Sequence, residues 1–135
     1  MIIHHQRITV VRHRKPAEPS VNERLQWLGN SLGLFSSRDK DKSCFRIFIE
    51  LLKSGKEDIP LSSDELAERS SLTRGTVVHH LNNLMKAGIV VHEKNKYILR
   101  MNSLESLVAE IHKDIDRTLD DLKEVAKSID KELNV

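Results

Sequence analysis

Residues 61–100, LSSDELAERSSLTRGTVVHHLNNLMKAGIVVHEKNKYILR, hold the chain to one local order: short helix, tight turn, longer helix, two β-prone runs. Ser62 can cap the first helix, and Glu65, three residues on, can reach back to the cap's own N–H. Leu61, Leu66 and Ala67 give that helix an apolar side. Ser70-Ser71 interrupts the pattern, because serine hydroxyls compete for backbone hydrogen bonds and favour turns. Leu72 is the lone apolar residue of the turn and should fill the gap between the helices. Thr73 caps the next helix, which is expected to run to about Lys86, with Gly88 as its stop.

At 100° per residue, Val77, Leu81 and Leu84 of the second helix fall in one stripe, with Met85 at its edge. That stripe should face the core. Gly75, Thr76, His79, Asn83 and Lys86 lie opposite, flanked by Val78 and Asn82. The outward set contains no acid. Asn can pair with adenine edges, and a valine or threonine methyl can touch thymine. Arg74, at the helix start, is in reach of a phosphate or a guanine. The alternative is an ordinary solvated face.

Ile89–His92 and Lys96–Leu99 are β-rich runs around Glu93-Lys94-Asn95, which predicts a short hairpin. Lys94, Lys96 and Arg100 are expected to cluster at and beyond its tip, where they suit phosphate contacts; any one of them alone would be an ordinary surface cation. Helix, turn, helix and hairpin in this order make a winged helix-turn-helix. Such a unit usually lays its second helix in the major groove of DNA.

The run LTRGTVVHHLNNLMKAGIV resembles the recognition helix of ArsR-like and MarR-like winged-helix regulators: a small polar turn, T-V-x-H-H-L, then L-x-x-A-G-L/I-V. The resemblance covers about residues 40–100. The run LGLFSSRDKDKSCFRIFIELLK is similar to the archaeal members of this broad set. The resemblance implies that Thr73, Arg74, Gly75, Thr76, Val78, His79 and Asn83 read DNA. The chain departs from metal-sensing members in having one cysteine, Cys44. A multi-thiolate site cannot be built from one thiol within a protomer.

Charge is segregated along the chain. Residues 71–100 carry five Lys/Arg and one acid, and residues 1–20 carry four Lys/Arg and one acid. Residues 101–135 carry five Lys/Arg and nine acids. This layout fits a protein that presents one face to a polyanion. No run of about 18 apolar residues occurs, so no membrane helix is expected. Met1 to His5 carry no signal-peptide apolar region. The single cysteine fits a reducing compartment. A cytoplasmic, nucleoid-associated protein is expected.

Gln6 to Lys15 are β-prone in the middle and basic at the end, and Pro16 and Pro19 close the segment. They predict a short strand or an extended arm followed by a linker. Arg12, Arg14 and Lys15 are the candidates there for phosphate or minor-groove contacts. A loose tail, or a strand pairing across a dimer, fits equally well. Ser20 and Glu23 form a second capping box before a helix bearing Leu25, Leu28 and Leu32, which weakens at Gly33. Trp27 beside them reads as a packing anchor. Ser36 to Lys42 is a polar connection.

A helix follows from about Lys42 to Ser54. Cys44, Ile47, Phe48, Leu51 and Leu52 give it one apolar face, and Phe45 and Ile49 a second. It is expected to pack against both the helix-turn-helix and the helix at 21–33. Cys44 reads as a small core residue, with a redox-sensing thiol as the alternative.

Residues 103–133 predict one long helix without Gly or Pro. Leu104, Val108, Ile111, Ile115, Leu122, Val125 and Ile129 recur at spacings close to a heptad, with Thr118 in one position. Leu107, Leu119, Ala126 and Leu133 widen the stripe. This seam predicts a homodimer; packing back on the helix at 21–33 is the alternative.

The expected architecture is mainly α with a small β-hairpin. It comprises a basic arm or strand (1–19), a winged helix-turn-helix (20–101) and a coiled-coil-like dimerisation helix (102–135). The expected function is a dimeric transcriptional regulator reading a pseudo-palindromic site in double-stranded DNA through the helix at about 73–86. The alternatives are a non-specific architectural DNA-binding protein and a winged helix used as a protein-interaction module. No enzyme is expected, since the chain has no Gly-rich phosphate loop, H-E-x-x-H or G-x-S-x-G. No cofactor or metal is expected. His79 and His80 are helix neighbours, which are not expected to face each other. The sequence identifies no small-molecule effector.

Overall fold

Hydroxyl caps start four of the five helices in the computed structural model, which describes residues 5–17, 20–36, 39 and 41–134. Ser20 caps α1 (Val21–Ser31), Ser62 caps α3 (Ser63–Ser70), Thr73 caps α4 (Arg74–Lys86) and Ser103 caps α5 (Leu104–Leu133). Each side-chain oxygen accepts from the N–H three residues on, at 3.1–3.2 Å. At α3 the box is complete, because Glu65 Oε1 accepts from the Ser62 N–H at 3.1 Å. Each such cap stabilises its helix by about 1 kcal/mol.

The exception is α2 (Ser43–Lys56). Its cap residue, Lys42, is left-handed (φ 53°) and makes no side-chain cap bond. Asp39 takes that role: its two oxygens accept from Ser43 N–H at 3.0 Å and Cys44 N–H at 2.9 Å. The expected helix starts match, while the Asp39 cap is a device the sequence reading lacks.

The wing is β1 (Val90–Glu93) against β2 (Lys96–Leu99), antiparallel. Glu93 pairs with Lys96, so the turn has two residues, Lys94 and Asn95, rather than the three expected. Both have positive φ (49° and 66°), the type I′ geometry that suits the right-handed twist of paired strands. Leu61 adds a third, one-residue rung, exchanging both backbone bonds with Tyr97 at 2.7 and 2.9 Å.

The core is aliphatic. Ile47, Phe48 and Leu51 of α2 meet Leu61, Leu66, Val77, Leu81, Leu84 and Ile89, all at most 1% exposed. Leu72 is half-buried against this cluster, as the turn required. Cys44 belongs to it, and burial followed by the nearby Asp39 charge pushes its thiol pKa up to about 12. That chemistry is inert, as for a small apolar residue.

Gly29 is the one buried residue of α1. The ring of Phe35 occupies the space a Cβ would take there. Phe35 also meets Phe45 and Phe48 edge-on, with centroids 5.3 and 6.2 Å apart. So α1 joins the domain through this ring, together with Leu25 and Leu32. Trp27 is half-buried.

The N-terminal segment is extended but pairs as no strand. Arg7 N–H donates to the Lys86 carbonyl at 2.9 Å, and Val11 N–H to the Ser31 carbonyl at 2.7 Å. The expected features at His4 and Pro19, and at Ser37, Arg38 and Lys40 of the polar connection, lie outside the described residues.

Helix α5 has two halves with different surroundings. Leu107 and Ile111 are 1% and 4% exposed within the core, and Leu104 and Ile115 are half-buried against it. Ile111, expected in an intermolecular seam, is therefore a core residue of its own protomer. The inward face is centred on 107, 111 and 114, so Val108 points outward at 40% exposure. Beyond residue 118 the apolar side is open: Leu119, Leu122, Val125, Ile129 and Leu133 are 50–65% exposed. No described helix is long and apolar enough to cross a membrane.

Candidate nucleic-acid interface

Helix α4 is held from below by Val77, Leu81 and Leu84, all buried. Its angle to α3 is fixed by the turn. Ser71 is left-handed (φ 55°), and the Arg46 guanidinium reaches from α2 to the carbonyls of Ser70 and Ser71. The Ser70 hydroxyl turns back to the Leu66 carbonyl. Serine suits this bend because its short hydroxyl satisfies a local carbonyl where the helix ends.

The opposite face is open. Thr73, Arg74, Gly75, His79, Asn82, Asn83 and Lys86 are exposed; Thr76 and Val78 are half-exposed. No acid lies in the first turn. Gly75 has nothing within 4 Å of where a Cβ would sit, so its absence of side chain serves no internal packing. It leaves backbone bare on the outer surface, where a groove wall can approach closely. Thr73 Oγ1 and Thr76 Oγ1 are 2.9 Å apart, which fixes both hydroxyls at the helix start. Arg74 folds back to Asp64 of α3 at 3.4 Å, an ion pair exposed on both sides. Exposed pairs contribute about 0–1 kcal/mol, so a phosphate can displace the carboxylate.

Lys94 stands at the wing turn, and Lys96 lies 3.9 Å from Glu65. Arg100 is elsewhere. It follows β2 at the base of the wing, where its N–H pairs with the Ile89 carbonyl at 2.9 Å. Its guanidinium is 13% exposed and clasps Asp114 of α5 at 2.5 and 3.1 Å, with Glu110 at 3.6 Å. The expectation that Arg100 joins Lys94 and Lys96 in phosphate contact is therefore corrected. A buried bidentate pair is far harder to open than a surface one.

Asp114 is a hub. It also accepts from Gln6 Nε2 of the arm at 2.9 Å and from Arg117 at 2.6 Å. Gln6 Nε2 donates to the Ala87 carbonyl at the end of α4 as well (3.1 Å). The hydrogen bond from Arg100 is the main reason the Asp114 carboxyl titrates down at about 2. The arm, the end of α4, the wing base and α5 thus meet at one carboxylate. A signal for this existed: position 114 follows Leu107 and Ile111 at spacings of four and three, so an acid there faces inward.

The structure brings Arg7 of the arm beside Lys86. Arg12, Arg14 and Lys15 are exposed and follow Val11, which is tied to α1 rather than to α4. His80, unassigned by the sequence reading, is half-buried, and its ring meets that of His79 edge-on at 5.3 Å. Their Cβ atoms diverge, as helix neighbours must, but the rings are long enough to touch. Burial lowers the His80 pKa, and the charge of Asp39 works against that. Among the described residues, no three of His, Cys, Asp or Glu are grouped to hold a metal ion.

The model of the bacterial regulatory protein, arsR family, matches residues 50–91, from within α2 to β1. This segment is an ArsR-type winged helix-turn-helix. The match contains α3, the turn, all of α4 and the first wing strand, which are the elements that build the open face. The chain is accordingly a DNA-binding transcriptional regulator in outline. No curated protein and no solved structure gives a significant match to it.

Proposed function

We propose that the chain acts as a homodimer on a pseudo-palindromic site in double-stranded DNA, in the cytoplasm at the nucleoid. The single observation that carries this reading is the exposed, acid-free face of the ArsR-type α4. Thr76, Val78, His79 and Asn83 read base edges, with Gly75 allowing close approach. Thr73, Arg74 and Lys86, with Lys94 and Lys96 of the wing, hold phosphates. Arg12, Arg14 and Lys15 extend the contact along the backbone.

The dimer part rests on the distal half of α5. Leu119, Leu122, Val125, Ile129 and Leu133 form one apolar side with no partner among the described residues. About 15 residues of helix span roughly 22 Å, enough for a short antiparallel or parallel seam. Two recognition helices held about 34 Å apart would meet successive major grooves.

Alanine at Thr76, His79 and Asn83 together is the test. The triple variant should keep salt-sensitive binding to any duplex and lose preference for the selected site by at least about tenfold. Unchanged preference would remove α4 as the reading element. Absence of preference in the wild type, with a steep salt slope, would instead make the chain an architectural DNA-binding protein. Absence of DNA binding would leave the protein-interaction module.

A further inference from the structure

A helix leaves its last carbonyls without intrahelical partners, and α4 meets part of that need from outside itself. The Leu84 and Met85 carbonyls accept from the N–H groups of Ile89 and Gly88, at 3.0 Å each. The next two turn to the N-terminal arm. The Lys86 carbonyl accepts from the Arg7 N–H at 2.9 Å, and the Ala87 carbonyl from Gln6 Nε2 at 3.1 Å. Gly88 follows at φ 80°, and Gln6 Nε2 and Cδ occupy the space a Cβ would take there. The glycine thus ends the helix and admits the arm.

The arm is seated at a second point in the same manner. Val11 N–H donates to the Ser31 carbonyl at 2.7 Å, and Thr9 fills the space of the missing Cβ at Gly33, which has φ 69°. The left-handed glycines that follow α1 and α4 therefore each receive one arm residue.

Gln6 does more than cap. The same Nε2 donates to Asp114 Oδ2 of α5 at 2.9 Å, one hydrogen for each acceptor. Among the described residues, hydrogen bonds join α5 to the end of α4 through two side chains, Gln6 and Arg100. Arg100 reaches the Gly88 carbonyl at 3.5 Å, the outer limit for such a bond, so Gln6 is the closer link. The buried side of α4 is aliphatic, through Val77, Leu81 and Leu84, and apolar contact is non-directional. The Gln6 amide adds directed bonds at one end. A helix of 13 residues is about 20 Å long, so a tilt of about 5° about its C-terminal end moves its first turn by roughly 1.7 Å. Binding groups need to be held within about 0.5 Å.

We propose that Gln6 is a positioning residue for DNA reading: its amide fixes the C-terminal end of α4 against α5 and so sets how α4 enters the groove. Gln6 acts through α4 and touches no base. This role rests on the reading of α4 given under the proposed function; the docking of the arm does not.

The test compares two variants of the full chain. Gln6→Met keeps the length of the side chain and removes its donor, while Gln6→Lys keeps a donor at similar reach. Amide hydrogen exchange followed by NMR reads the arm without DNA. Exchange at the Arg7 N–H should quicken at least about tenfold in Gln6→Met, and the Val11 N–H, held separately at Ser31, should change less than about threefold. Fluorescence anisotropy reads DNA as the ratio of affinity for the selected operator to affinity for random duplex, in which a uniform phosphate contribution cancels. That ratio should fall about tenfold in Gln6→Met and return to within about threefold of wild type in Gln6→Lys.

Unchanged Arg7 exchange in Gln6→Met overturns the docking and the positioning role with it. Faster exchange with an unchanged ratio overturns the positioning role and leaves the proposed function standing. A lowered ratio that Gln6→Lys does not restore overturns the donated bonds as its cause. Loss of helix content in Gln6→Met by circular dichroism makes Gln6 a stability residue and also overturns the role. A wild-type chain with no sequence preference overturns the proposed function and the positioning role together, while exchange at Arg7 still decides the docking.

Discussion

Replacing Asp114 by asparagine keeps the shape of the hub and removes its charge. The carboxyl is held at about 2 against an ordinary 3.8, first by the hydrogen bond from Arg100 and further by Gln6 and Arg117. That depression corresponds to roughly 2.5 kcal/mol of folded-state preference for the ionised form, at 1.36 kcal/mol per pKa unit. The Asp114 side chain is 4% exposed, so solvent screens little of it. Breaking a buried pair generally costs about 3–5 kcal/mol, because the remaining charge is stranded. Here Glu110 stays 3.6 Å from Arg100 and is a remaining partner, which brings the loss to or below the bottom of that range, about 2–3 kcal/mol. Urea unfolding followed by circular dichroism, at one fixed protomer concentration, measures it. The pH dependence supplies a second signature. A carboxylate with a depressed pKa stabilises above its unfolded value and loses that contribution as pH falls through the folded one. The gap between wild type and Asp114→Asn should be full above about pH 5, shrink through pH 4 and close near pH 2. Asp39 is also depressed, but it is present in both proteins and cancels in the difference. A gap under about 0.5 kcal/mol at pH 7, or one that does not change with pH, would refute the hub.

Three further outcomes are expected. Gly75→Ala should stabilise the fold by about 0.5 kcal/mol, because a Cβ there meets nothing and alanine favours helix, yet weaken operator binding by anisotropy. Gly29→Ala should destabilise by about 1–3 kcal/mol in thermal unfolding, since the new Cβ must displace the Phe35 ring from Phe45 and Phe48. Leu122→Asp with Val125→Asp should convert the proposed dimer to monomer in sedimentation velocity. Each of these sites is about 60% exposed, so the protomer should keep its helix content.

The helix-turn-helix was legible in the sequence because its signals are local. Ser62 with Glu65, Thr73, Ser103 and Gly88 act within four residues of themselves, and the stripe of Val77, Leu81 and Leu84 is a single-helix property. The same locality explains the misplacement of Arg100. Near Lys94 and Lys96 in sequence, it looks like a wing cation; only the fold shows that a strand separates it from the tip and that α5 brings Asp114 to it. Ile111 was assigned to the α5 seam for a related reason. The period of that seam is continuous, but the helix lies on its own core as far as Ile115 and leaves it beyond, and periodicity does not say what covers a stripe. Arg7, Gln6 and His80 carried no readable signal, because their partners lie far away along the chain: Gln6 meets Asp114 across 108 positions. The α4 face itself was visible as a polar, acid-free pattern, and the arm bound at its C-terminal end was not.

The measurement that tests the central claim most directly is selection of a random duplex pool by the purified chain, with sequencing of the bound fraction across a salt series. Enrichment of a pseudo-palindrome with half-sites about 10–10.5 base pairs apart is the expected result. Tight binding with no enriched sequence, or no binding near 0.1 M salt, would contradict it.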